Sequence, residues 1–115
     1  MERERPREQY EAQLDEQRSV IDAIDSEIVD LINRRSAVAL EIGRIKMENG
    51  LPIYVSSREE QVLDKIEERS SDGIVPGEEM RNIFQAIMRG SRAVQKALHN
   101  GSWPSGGLET QDDIE

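Results

Sequence analysis

The sequence predicts an all-α chain of three helices, the first very long, that works as an oligomer. Three observations predict it. From Leu14 to Lys46, ten positions spaced alternately by four and three residues share one helical stripe. Each periodic stretch is bounded by helix start and stop residues, and no stretch alternates as a strand does. The apolar fraction is 36%, with one Phe, two Tyr and one Trp among 115 residues, so a single chain can bury only a thin core.

Residues 1–9 are almost all charged or polar and read as a lead-in, with room for a helical extension after Pro6. The domain proper is residues 10–100. Its first helix runs from about Leu14 to Asn49, and at 1.5 Å per residue those 36 or so positions span ~54 Å, longer than a small globule is wide. Such a helix needs other helices or other chains along its whole length. Gly43 inside it costs up to ~1 kcal/mol relative to Ala and points to a close helix or ligand approach. Asn49-Gly50 and Pro52 end it. After the loop 50–57, Ser57 with Glu60, or Ser56 with Glu59 one residue earlier, has the form of a capping box. The second helix then runs to about Ser70, burying Val62, Leu63 and Ile66, and Ser71-Asp72-Gly73 is a turn. The third starts with Pro76 as its first helical residue and ends at Gly101, with a stripe of Met80, Phe84, Ile87, Ser91, Val94, Gln95 and Leu98 and with Ile83 beside it. Residues 101–115 carry Gly, Ser, Pro and acids without period and read as a disordered acidic tail.

Composition excludes several classes of function. A net charge of −9 argues against nucleic acid. Without cysteine there is no disulfide framework and no thiol chemistry. The charged start lacks an apolar signal segment and no apolar run reaches membrane-spanning length, so cytoplasm is the expected compartment. The single histidine, His99, reads as a surface residue at the end of helix three, no residue grouping has metal-ligand spacing, and no Gly-rich phosphate loop occurs.

What remains is an anomaly in the seams. Six of the ten positions on the first stripe are apolar, but Arg18, Asp25, Arg35 and Lys46 interrupt it. Three basic groups on a buried face of an acidic protein ask for an anionic partner. Ser91 and Gln95 interrupt the third helix in the same way, and Arg58 and Glu59 open the second. Each has a plain alternative: Asp25 can pair with a nearby Arg, Ser91 can be a small packing residue, Gln95 can sit on a rim, Lys46 can snorkel towards the helix end, and Arg58 and Glu59 can be ordinary first-turn residues. Together the residues leave two readings open, a buried anion site and a set of interchain ion pairs. Arg18 and Lys46 lie ~42 Å apart along the helix and Arg35 and Lys46 ~16 Å, so one small ligand can meet Arg35 and Lys46 but not Arg18 of the same chain. If all three serve one ligand, Arg18 comes from a partner subunit in a symmetric antiparallel dimer. With no nucleophile, metal or cofactor in sight, any catalysis is electrostatic and conformational.

Read in order, Arg18, Asp25, Arg35-Ser36, Gly43-Arg44-Ile45-Lys46, Pro52, Arg58-Glu59, Ser91 and Gln95 resemble the all-helical chorismate mutases, both the small single-domain form and the form fused to prephenate dehydratase. The resemblance covers roughly residues 12–99. No one motif is specific, but the full set in order is. It implies an intertwined helical homodimer that rearranges chorismate to prephenate on the way to phenylalanine and tyrosine, without a cofactor. By similarity Arg35 and the partner's Arg18 hold the two carboxylates, Arg58 adds positive field, Lys46 and Gln95 hydrogen-bond the ether oxygen, Glu59 accepts from the ring hydroxyl and Ser91 supports a carboxylate. One departure is plain. The family often carries Asp three residues after the loop proline, where this chain has Val55, so the hydroxyl contact falls to Glu59 and the Val55 backbone. Related helical enzymes act on isochorismate or aminodeoxychorismate, which makes an isochorismate-pyruvate lyase or an amino-chorismate mutase the alternative. A non-catalytic helical dimerisation module is the alternative from a different class.

Overall fold

The computed structural model describes residues 6–101. Three helices follow one another, α1 Arg7–Glu48, α2 Ser56–Arg69 and α3 Gly77–His99. Among the described residues there is no strand, so the all-α, three-helix class expected from the sequence is the class observed. The expected tail beyond Gly101, and residues 1–5 of the lead-in, lie outside the described residues.

Helix α1 starts earlier than Leu14. The Pro6 carbonyl accepts from Gln9 and Tyr10, and Arg7 pairs with Glu11 one turn on at 3.0 Å. Its C-terminus is closed by Gly50 at φ +65°, a left-handed conformation that a side chain would strain. The Leu51 N–H reaches the Lys46 carbonyl at 2.8 Å and the Gly50 N–H the Met47 carbonyl at 3.4 Å, the paired bonds of a Schellman ending. Gly101, at φ +70°, closes α3 in the same left-handed conformation.

Two helix starts differ from expectation. No capping box forms at α2: its N-cap is Val55, in extended conformation and without a side-chain cap, and Ser56 and Ser57 lie inside the first turn. The glutamates that such a box requires are drawn to α3 instead, Glu59 to Arg92 and Glu60 to Arg81 at 2.5 Å. A guanidinium, charged as well as donating, outcompetes a neutral backbone N–H for the same carboxylate. At α3, Pro76 is the N-cap and not the first helical residue, because its ψ is 147°. The proline ring fixes φ only, so Pro accepts either role.

The chain divides into two compact units, residues up to Arg34 and residues from Arg35 onward. The first is the N-terminal stretch of α1, where every residue from Arg7 to Arg34 except Ile32 is exposed. Leu14, Ile21 and Ile28 of the predicted stripe are 44–56% exposed, and Val20, Ile24, Val29 and Leu31 add to that uncovered apolar surface.

The second unit holds the core: Ala39, Leu40, Leu63 and Met88 are buried, together with Gly43, Ser91 and Gln95. Leu63 is the buried residue of the predicted α2 side, flanked by half-buried Val62 and Ile66. On α3 the predicted stripe is half-buried around Ser91 and Gln95, but Met88, outside that stripe, is buried and Ile83 is exposed. Arg81 ties α3 to α2 through Glu60, Asp64 and Glu67. These bonds, the one from Glu60 foremost, raise its pKa above the usual arginine value.

Leu63→Ala is expected to lower unfolding stability by about 2–5 kcal/mol, the range for emptying a well-packed core site. Ile74→Ala, at a fully exposed position, should change it by less than ~0.5 kcal/mol. Denaturant midpoints check both, and equal shifts would contradict this core.

Candidate active site

The C-terminal part of α1 and the middle of α3 cross closely at one glycine. A Cβ placed on Gly43 would lie 2.9 Å from Gln95 Cγ and 3.3 Å from Gln95 Cβ. Only hydrogen fits there, which answers why a helix should carry Gly43 at a cost in propensity. The approach lets α3 reach α1's backbone. Gln95 Nε2 donates to the Ala39 carbonyl at 2.7 Å, and His99 Nε2 lies 2.9 Å from the Gly43 carbonyl, to which it donates. His99 is therefore half-buried at the helix crossing and not the surface residue its position suggested.

Beside this crossing lies a cleft of about 490 Å³. Helix α1 contributes Arg35, Val38, Ala39, Ile42 and Lys46; the loop contributes Ile53 and Val55; α2 contributes Arg58, Glu59 and Val62; α3 contributes Met88, Ser91, Arg92 and Gln95. Seven of the eight residues given a site role from sequence, Arg35, Lys46, Val55, Arg58, Glu59, Ser91 and Gln95, thus line one cavity. The eighth, Arg18, lies in the other unit, exposed, with its Nη1 3.5 Å from Asp15.

Each polar group is held in place yet keeps bonding capacity. Arg35 Nη1 donates to Ser91 Oγ at 2.8 Å, which leaves the rest of its five-donor guanidinium uncommitted. Lys46 Nζ donates to the Ile53 carbonyl at 2.7 Å, tying the loop to α1. Arg58 Nη1 donates to Gln61 Oε1 at 2.8 Å within the first turns of α2. Gln95 is only 6% exposed, but its amide uses one of four bonding capacities, the Ala39 bond. A buried amide with open donors and acceptors, facing a cavity, asks for a ligand.

Charge is concentrated here. Four cations, Arg35, Lys46, Arg58 and Arg92, line the cleft against one carboxylate, Glu59, in a chain of net charge −9. Apolar walls from Val38, Ile42, Val62 and Met88 lower the local dielectric and strengthen attraction for an anion. The arrangement suits an anionic ligand that also accepts hydrogen bonds. A larger cleft of about 680 Å³ shares the Glu59–Arg92 pair but contains none of Arg35, Lys46, Ser91 or Gln95, so the smaller one is the candidate.

Sequence reasoning passed over Arg92. The residue belongs to a second row on α3, Met88, Arg92, Gln95 and His99, spaced by four, three and four. That row runs beside the predicted stripe and shares Gln95 with it, which was the available signal.

Comparisons with known proteins point to one family. The sequence model of chorismate mutase type II matches residues 17–96, which takes in all eight candidate residues. The bifunctional chorismate mutase/prephenate dehydratase of Aquifex aeolicus is 35% identical over 89 residues, 75% of this chain. The chorismate mutase of Methanocaldococcus jannaschii is 34% identical over 83 residues, 72% of this chain and 84% of that protein. An intracellular chorismate mutase of Mycobacterium tuberculosis is 38% identical over 61 residues, 53% of this chain and 58% of that protein. The match spans only 25% of the length of the bifunctional relative. With the family's sequence model covering most of the described helices, and two of these relatives above 30% identity over more than two thirds of the chain, this protein belongs to the chorismate mutase type II family.

Proposed function

We propose that this chain is a chorismate mutase, converting chorismate to prephenate by an intramolecular sigmatropic rearrangement. The observation that carries the reading is the convergence of Arg35, Lys46 and Gln95 on one apolar-walled cleft in a member of this family. The relatives named for this activity support it. Residues 10–100 form the mutase unit, and the cytoplasm is its compartment, in keeping with the relative named intracellular. Among the described residues no helix is long and apolar enough to cross a membrane.

The reaction breaks a C–O bond and forms a C–C bond within one molecule, so the protein need supply no acid, base or nucleophile. It must hold the substrate compact and meet the charge that separates as the ether bond breaks. In this reading Arg35, braced by Ser91, takes one carboxylate through its planar fork. Lys46 and the open amide of Gln95 meet the ether oxygen as negative charge grows there. Arg58 adds positive field, while Glu59 and the Val55 backbone receive the ring hydroxyl. The amide of Gln95 donates at any pH, so the ether-oxygen contact needs no protonation.

The second carboxylate calls for a second arginine, and we assign Arg18 of the partner subunit. The uncovered apolar residues of α1 before Arg35 support a homodimer. Each gains on the order of 1 kcal/mol when its exposed half is covered. A dimer that covers this stretch with a second copy carries Arg18 into reach of the other chain's cleft and makes two equivalent sites.

Purified protein is expected to convert chorismate to prephenate, and Arg35→Ala to lower kcat/KM by about a hundredfold or more, the cost of removing a charged partner from a desolvated pair. Salicylate and pyruvate formed from isochorismate, with chorismate left unconverted, would instead assign an isochorismate-pyruvate lyase, and an unchanged rate in Arg35→Ala would leave the non-catalytic module standing. Gln95→Glu should impose an acid preference, because only the protonated carboxyl donates to the ether oxygen. Its kcat/KM should rise by about tenfold or more as pH falls through the carboxyl range, and a flat profile would contradict the role given to Gln95.

A further inference from the structure

Arg92 has no part in the reading above, yet it lines the cleft and makes its one internal ion pair. Its Nη1 lies 2.5 Å from Glu59 Oε1 and bonds Oε2 as well. The two side chains are only 28% and 22% exposed, so the pair is screened by water far less than a surface pair. The guanidinium also meets an aromatic ring, its Cζ lying 5.1 Å from the centroid of Tyr54. Tyr54, Arg92 and Glu59 thus form a chain of contacts that runs from the loop into the cleft wall and fixes where the Glu59 carboxylate stands.

These contacts also set the charge at this corner. Glu59 is the only acid lining the cleft, and Arg92 neutralises it. Val55 of the loop lines the same cleft and adds no second carboxylate. A neutral hydroxyl donating to Glu59 keeps its hydrogen bond without a Coulombic penalty. An ammonium at the same place finds no net negative charge in the Glu59–Arg92 pair and faces the further cations Arg35, Lys46 and Arg58. We propose that Arg92 is a positioning residue that fixes and neutralises Glu59, and so makes the cleft select a neutral ring hydroxyl over a ring ammonium. This rests on the chorismate reading of the cleft and deepens it to a rule of substrate choice.

Steady-state kcat and KM with chorismate and with aminodeoxychorismate test the proposal, in the intact chain and in Arg92→Met, Arg92→Lys, Glu59→Gln and the Glu59→Gln/Arg92→Met pair. The unaltered chain should prefer chorismate. Arg92→Met should move the ratio of the two kcat/KM values about tenfold towards the amine, the scale of one partly screened charge contact. Arg92→Lys should restore most of the preference. In the Glu59→Gln background Arg92→Met should move the ratio less, because only the direct repulsion by Arg92 is relieved and no carboxylate is left uncompensated. A merely structural tie predicts otherwise: both rates fall in proportion with Tm, the ratio stays fixed, and the proposal is overturned. Should Arg92→Met fail to fold, Tyr54→Leu removes only the aromatic ring and should shift the ratio the same way by a smaller factor, an unmoved ratio again overturning the proposal. If the unaltered chain converts chorismate but Arg92 does not govern the ratio, this proposal alone fails. If it converts neither substrate, the assignment of function fails and takes this proposal with it.

Discussion

Where Gly43 meets Gln95, α1 and α3 come close enough that a single methyl group would not fit. The rest of the candidate site depends on that approach. It brings the Gln95 amide to the Ala39 carbonyl and His99 to the Gly43 carbonyl, bonds that fix the turn of α3 presented to the cleft. One turn earlier on α3 the same face offers Ser91 to Arg35. Lys46, one turn beyond Ile42 on α1, is then free to hold the loop through Ile53 while its remaining donors stay open. A glycine in mid-helix weakens the helix by about 1 kcal/mol, and this chain accepts that loss where it gains a crossing.

The cleft inverts the electrostatics of the chain. A protein of net charge −9 gathers four cations around one cavity and leaves them one carboxylate. The acids are placed elsewhere to structural ends, as where Glu60, Asp64 and Glu67 converge on Arg81 and hold α2 against α3. Keeping those carboxylates away from Arg35 and Lys46 leaves the cations available to an anionic ligand.

Much of this was legible in the residues, for reasons that also explain the misses. The long period of α1 and the stop at Asn49-Gly50 were plain because helical spacing and a left-handed glycine are local signals. Polar interruptions of an apolar seam gave Arg35, Lys46, Ser91 and Gln95, and all of them line the cleft. The misses came from contacts between helices. Nothing near Glu59 in the chain shows that Arg92, thirty-three residues on, takes it from a capping box. His99 looked superficial because its acceptor is a carbonyl on another helix. Arg92 and Met88 escaped because a second row on α3 carries the closer packing. Arg18 could be tied to the others only through the resemblance and the length of α1, since it stands in the other unit.

In the proposed dimer the cations of one helical seam serve a ligand shared between two chains. Arg18→Ala and Arg35→Ala variants, each inactive alone, can be unfolded together, refolded as a mixture and assayed for prephenate formation. Random pairing makes half the dimers mixed, and each mixed dimer regains one intact site of two, so the mixture should recover about a quarter of the unaltered activity. A mixture no more active than its two parents would contradict the account.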